Sequence, residues 1–304
     1  MSKLQFTKAF TQQEAIPEQA KQRVMELLDS GRLHRYNTVG NELSDAAMLE
    51  QAYAQYQGRK YCLACTSGGY GIHIALRAMG LQAGDEVLTN AYTLAPVPGA
   101  IHAAGGKPVL VEIDENYHLD LADLKAKAKA SNAKILLLSL MRGHIPNMQQ
   151  LMTLCNELGI KVLEDCAHTM GASWDGIKSG NFGQVAAFSL QTYKHLNTGE
   201  GGLVVTDDAQ IAARLIMHSG SYMLYERHGA APAPEVFENI RLVSANMSGR
   251  MDNMRAALGL AQLPNLDKNC ERWNHRYNLL NAAIGAISGV DIPTRDKRES
   301  FVGS

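Results

Sequence analysis

Along the middle of the chain, short apolar runs alternate with segments whose apolar positions recur every three or four residues. These are the periods of buried strands and amphipathic helices. The runs at 61–65, 86–89, 108–113, 134–138 and 160–163 predict strands, and the periodic segments at 68–79, 94–103, 121–130 and 147–158 predict the helices between them. Such alternation implies an α/β fold, a mostly parallel sheet with helices on both faces and ligand sites at the carboxyl ends of its strands. Two further apolar runs, 185–190 and 203–206, extend the sheet, and a helix at 210–218 leaves it. Ahead of the alternation, residues 1–12 read as an arm, followed by helices at 16–28 and 43–56 that flank an irregular stretch. Beyond it, AAPAPE is irregular, and a long helix at 252–287 is predicted to be interrupted near Pro264. The expected division is a large α/β domain over 1–245 and the start of a small C-terminal domain over 246–304, without repeats.

Composition narrows the function classes. Of 304 residues, 46% are hydrophobic and 19% charged, which suits an ordinary globular protein. A formal net charge of −1 gives no general attraction to nucleic acid or to anionic lipid. No apolar run approaches a membrane span and the N-terminus lacks the apolar centre of a signal peptide, so a cytoplasmic protein is expected. The five scattered cysteines fit reduced thiols. Cys62 and Cys65 form a C-x-x-C, but three residues apart on a strand they face opposite ways, and core packing is expected. Gly69-Tyr70-Gly71 opens a dinucleotide-like G-x-G, yet Ile74 replaces the third glycine.

The chemistry concentrates in IKVLEDCAHTMGASWDGIKSGNFGQVAAFSLQTYKHLNTGEGGLVVTD, residues 160–207. One apolar run stops at Glu164 and Asp165, and a second carries Ser189 near its end with Lys194 five residues on. Alternating side-chain direction sets Glu164 away from Asp165, as a structural acid. A carboxylate at the end of a buried strand needs a partner. An amine, a carboxylate and a hydroxyl delivered by neighbouring strand ends are the groups that pyridoxal phosphate uses for its imine, its pyridine nitrogen and its phosphate.

The longer string is more specific. EDCAH, FSLQTYK and GEGG resemble the signature of the DegT/DnrJ/StrS aminotransferases, a sugar-modifying branch of the fold-type I pyridoxal phosphate enzymes. The resemblance implies a seven-stranded-type sheet and a cofactor held by Lys194. It also implies a homodimer, and a small C-terminal domain that would run past residue 304, so the chain reads as truncated. The implied reaction moves an amino group from glutamate to a keto or aldehydo sugar, with Lys194 transferring the proton.

Other roles follow by position. Asp165 would face the pyridine nitrogen. His168 stands where the family carries a glutamine against the ring oxygen, and an imidazole N–H donates a similar bond. CTSGGYGIHIAL resembles the phosphate-binding turn. The family threonine is Gly69 here, which shifts the load to backbone donors at Gly69 and Tyr70 and to the Ser189 hydroxyl. In NAYTLAPVPGAI, either Tyr92 or Leu94 would pack on the cofactor. In SANMSGRMDN, Asn246 or Arg250 would reach the phosphate of the neighbouring subunit. Arg142 would suit a carboxylate if it lay near the site; a surface salt bridge is its expected role. Related dehydratases carry histidine in place of the lysine, whereas here the histidine is the next residue, His195. A cofactor-binding regulator without turnover is the alternative from another class.

Overall fold

The computed structural model describes Thr7, Ala9 and residues 13–303. Apart from Thr7 and Ala9, the arm expected at 1–12 lies outside the described residues.

The first helix, α1 (Glu18–Ser30), starts behind Pro17 and ends at Gly31, whose left-handed backbone closes it. Ser44 caps α2 (Asp45–Gln57) by accepting from the Ala47 amide. The alternation then runs β1 (Tyr61–Cys65), α3 (Gly68–Ala78), β2 (Glu86–Asn90), α4 (Pro96–Ala103), β3 (Lys107–Val111), α5 (Leu121–Ala130), β4 (Ile135–Ser139), α6 (Met148–Glu157) and β5 (Lys161–Asp165). Helix α4 begins two residues later than expected because Pro96 sits at its first position, where a missing N–H costs nothing.

The strands β8 (Val185–Ser189) and β9 (Gly202–Thr206) complete a seven-stranded sheet in the order β1-β9-β8-β5-β4-β2-β3. It is parallel except for β9, which runs antiparallel to both neighbours. Between β5 and β8 the chain forms β6 (Ser173–Trp174) and β7 (Ile177–Lys178), which join the late strand β10 (Glu299–Ser300) in a three-stranded sheet that the hydrophobic pattern did not announce. Strands of two residues carry too little periodicity to be read.

Apart from the largely exposed edge strand β3, both faces of the large sheet are buried, and its side chains alternate between two apolar clusters. Leu136, Leu138, Leu203 and Val205 face one of them, and Leu137, Val204, Leu163 and Ala187 the other. Cys62 and Cys65 divide the same way, buried as free thiols on opposite faces. Helix α7 (Ala209–Ser219) covers the second face, capped by Asp208. After the short α8 (Ile240–Val243), the expected long helix is two: α9 (Asn253–Gln262) and α10 (Leu266–Gly285), broken by a tight turn through Pro264. Helix α9 lies on α1 and α2. No helix among the described residues is long and apolar enough to cross a membrane.

The register aligns the polar strand ends. Ser139 of β4 stands beside Asp165 of β5, Asp165 beside Ala187 of β8, and Gly202 pairs with both Cys65 and Ser189. Gly202 is required there. A Cβ at that position would lie 2.4 Å from the carbonyl carbon of Ser67, so any side chain would push the start of α3 away from the sheet.

Candidate active site

Asp165 ends β5 with a buried carboxylate. The Ala167 amide donates to its Oδ1 at 3.1 Å, and the Leu140 amide donates to its backbone oxygen at 3.1 Å, which ties the ends of β4 and β5 together. Burial raises its pKa, while the Ala167 amide, Lys194 and the Ser139 hydroxyl all favour the charged form. Its neighbour Glu164 points the other way, where the amides of Gly180, Phe182 and Gly183 donate to it at 2.7–2.9 Å.

Lys194 projects from a loop pinned at both ends. The Leu190 amide donates to the Gly201 carbonyl and the Thr192 amide to the Gly199 carbonyl, and the Lys194 amide itself donates to Gln191. The half-buried amine lies 2.9 Å from His168 Nε2. Burial lowers the pKa of Lys194, with Asp165 opposing and Arg142 adding to the effect. His168 is pushed down to about 3 by burial and then by Lys194, so its imidazole is neutral and Nε2 accepts from the ammonium. The structure thus brings Asp165, His168 and Lys194 into one electrostatically coupled group.

Ser189 meets the start of α3. A Cβ at Gly68 would lie 3.0 Å from that of Ser189, so the hydroxyl-bearing strand end and the helix N-terminus touch. The Tyr70 amide does not take the part expected of it. It donates to the Ser67 hydroxyl at 3.1 Å as the helix cap, and the Tyr70 hydroxyl donates to the His218 carbonyl. Among the described residues no acceptor meets the amides of Gly68 and Gly69, so these two are the open donors beside Ser189.

The remaining candidates divide. The Tyr92 ring packs on Tyr117, with centroids 5.0 Å apart, while Leu94 is 45% exposed at the mouth of the loop before α4. Asn246 accepts from the Tyr222 amide, and Arg250 donates to the Gly220 carbonyl, so both are engaged beside Tyr222. Arg142 forms no ion pair among the described residues, contrary to the surface salt bridge expected for it, and it acts electrostatically on both His168 and Lys194. His195 is buried with its ring 4.7 Å from that of Trp273, and among the described residues neither ring nitrogen has a partner.

Sequence reading missed a polar brace under Asp165. Asn90 receives the Ser139 amide at 2.8 Å and donates to the Ser139 carbonyl at 2.8 Å, while the Thr93 hydroxyl donates to Ser139 Oγ at 2.7 Å. The signal that exposed Asp165, a polar residue closing an apolar strand, was present at Asn90 and at Ser139 too.

These groups match the donor set of pyridoxal phosphate. A buried carboxylate in need of a cation suits a pyridinium nitrogen, a desolvated amine suits an aldehyde, and two open amides with a hydroxyl suit a phosphate.

Comparison with known proteins agrees. The family model described as the DegT/DnrJ/EryC1/StrS aminotransferase family matches residues 14–303. A GDP-perosamine synthase of Caulobacter vibrioides is 35% identical over 73% of this chain, which spans only 57% of that protein's length. A pleiotropic regulatory protein of Geobacillus stearothermophilus is 31% identical over 89% of this chain and 70% of its own. Among solved structures, the sugar aminotransferase CalS13 from Micromonospora echinospora superposes with a TM-score of 0.80 at 25% identity, covering 95% of this chain and 77% of its own. Members of the matched family are aminotransferases that depend on pyridoxal phosphate. With its strand-end chemistry and its match from residue 14 to residue 303, the chain belongs to the DegT/DnrJ/EryC1/StrS aminotransferase family.

Proposed function

We propose that this chain is the cofactor-binding part of a pyridoxal phosphate-dependent aminotransferase that moves an amino group from glutamate to a keto or aldehydo sugar, in the making of a surface polysaccharide. The convergence of Lys194, Asp165 and Ser189 on one end of the sheet carries the reading. When bound, the cofactor supplies an aldehyde that accepts amines and a ring that accepts the electron pair left by a departing proton. Asp165 would hold the ring nitrogen protonated, and His168, which accepts from Lys194 at Nε2, would donate to the ring oxygen from Nδ1. Ser189 with the amides of Gly68 and Gly69 would hold the phosphate. Lys194, kept short of full solvation, is suited to take a proton from the substrate carbon and return it.

The acceptor in this reading is a sugar acid such as 3,8-dideoxy-8-oxo-manno-octulosonate, for which Arg142 provides a cation. A nucleotide-linked 3- or 4-keto sugar is the second reading, favoured by the relative whose name is GDP-perosamine synthase. A regulator without turnover is the third, favoured by the relative so named. The enzyme would work in the cytoplasm as a homodimer. Leu242 and Val243, 77% and 83% exposed close to Asn246, offer apolar surface for a second copy.

The test is spectroscopic. Protein purified with pyridoxal phosphate should absorb near the visible edge, and borohydride should fix the cofactor to Lys194. A label on any other lysine would overturn the assignment. Glutamate should then bleach the band, and a screen of oxo-sugar acids and nucleotide keto sugars should reveal which acceptor restores it. A regulator would show the label without the bleaching.

A further inference from the structure

The turn after β4 holds Arg142 in a conformation that its sequence alone does not favour. Its backbone is left-handed, φ 53° and ψ 26°, a region that disfavours residues with long side chains, and Gly143 follows at φ 75°. Strained backbone of this kind persists only where neighbours fix it, and it gathers at binding sites. The neighbours are visible. The Gly143 amide donates to Leu140 at 3.1 Å, and Arg295 donates to the Gly143 carbonyl at 2.8 Å. A Cβ at Gly143 would lie 2.9 Å from the Val302 carbonyl and 3.6 Å from that of His168. The turn is therefore wedged between the C-terminal segment and the residue that contacts Lys194.

The guanidinium that this turn carries is exposed and forms no ion pair among the described residues. It lies close enough to Lys194 and His168 to disfavour positive charge on both. A second cation beside a catalytic amine is unfavourable unless an anion joins it. Arginine presents paired donors that match a carboxylate.

We propose that Arg142 is the carboxylate anchor of this active site, fixing the acid group of a substrate whose reacting carbon faces Lys194. This deepens the reading above and rests on it. Two substrates of that reading carry carboxylates, the glutamate donor and a sugar-acid acceptor, and the anchor would serve either.

Two inert probes separate the sources. Glutarate stands for the donor, and 3-deoxy-manno-octulosonate stands for the sugar acid. Their affinities would be measured by calorimetry on the pyridoxal phosphate-loaded protein and on its Arg142→Asn and Arg142→Gly variants. Both replacements tolerate left-handed backbone, so the turn survives while the guanidinium is lost. Borohydride labelling of Lys194 reports on the underlying reading. If Lys194 is not labelled in the parent protein, that reading fails whatever the probes do. With Lys194 labelled in parent and variants, affinity for at least one probe should fall by about 10- to 100-fold. Loss for glutarate alone assigns the anchor to the donor, and loss for the octulosonate alone assigns it to the acceptor. Affinities within twofold of the parent for both probes, or a parent that binds neither, would overturn the inference.

Discussion

Two of the groups of charged side chains inside this protein are built on opposite terms. The first joins Arg35, Glu50 and His228. Arg35 donates both terminal nitrogens to the two Glu50 oxygens at 2.7 and 2.8 Å, and the Ala64 amide adds a third bond at 2.8 Å. The Tyr36 hydroxyl lies 3.0 Å from His228 Nδ1, and His228 Nε2 lies 3.1 Å from both Glu50 and Arg35. All three side chains are fully buried. Burial opposes both charges, yet Arg35 and His228 hold Glu50 down to about 2, and Glu50 holds Arg35 above its usual range. In the second group burial prevails: Asp165 is raised, Lys194 is lowered and His168 falls to about 3. One group is complete and ties the 34–36 segment to α2, β1 and the loop at His228. In the other, the attraction between Asp165 and Lys194 does not overcome burial, and a ligand would bring further charge. Matched burial makes a brace, and unmatched burial makes a site.

If that contrast is right, substitutions in the two groups should fail in opposite ways. Lys194→Ala should lower the rate of the glutamate-driven bleaching by roughly 10⁴-fold, while urea unfolding of the cofactor-free protein shows no loss of stability. Glu50→Gln should do the reverse, costing about 3–5 kcal/mol in the same unfolding assay because Arg35 is left buried without its partner. The folded, cofactor-loaded variant should still turn over.

The Glu50 contribution also has a pH signature. Its folded-state pKa lies below the usual value of 4.5, so the stabilisation is complete above that pH and is lost as pH falls toward about 2. The gap between parent and Glu50→Gln should therefore narrow in acid. A gap that widened would mean that the charge of Glu50 is not what stabilises the brace. Asp165→Asn should give a smaller effect on stability, a gain of about 1 kcal/mol without cofactor, since it removes a desolvated charge. A loss as large as that of Glu50→Gln would erase the distinction between the two groups.

The same contrast explains what could be read from the chain. Sheet and helices were legible because Leu136, Leu137, Leu203 and their neighbours fill both faces with the expected period, and because Pro264 marks the end of an element by local chemistry. Asp165 and Ser189 stood out because polar groups rarely close buried strands without cause, and Lys194 stood out by its place in the family signature. The brace was not legible. Arg35 meets Glu50 and His228 across long stretches of chain, and none of the three lies in a motif. Arg142 was named as suited to a carboxylate, but its place at the site was not legible, for a related reason. Its strained backbone and its place beside His168 follow from the packing of residues near 295 and 302 against the turn, which no local pattern encodes. Tyr70 shows the reverse error. The resemblance assigned it an open amide, but Ser67, one turn of helix earlier, was already positioned to cap it.

His168 offers the finest test, because it belongs to the group in which burial prevails and ought to titrate accordingly. Unfolded, its imidazole takes up a proton near 6.5, whereas in the folded protein it resists until about 3. The unfolded state therefore binds more protons throughout that window, and the protein loses stability as pH falls through it. Glutamine in the same place would keep a donor toward the site without the titration. His168→Gln should flatten the dependence of unfolding free energy on pH between 6.5 and 3 by at most about 1.4 kcal/mol per pH unit, while the other histidines held low, His195 and His144 among them, and Glu50 below its usual value contribute to the slope that remains. If the slope were unchanged, His168 would already be protonated beside Lys194, and the hydrogen bond between them would run in the opposite direction or not exist.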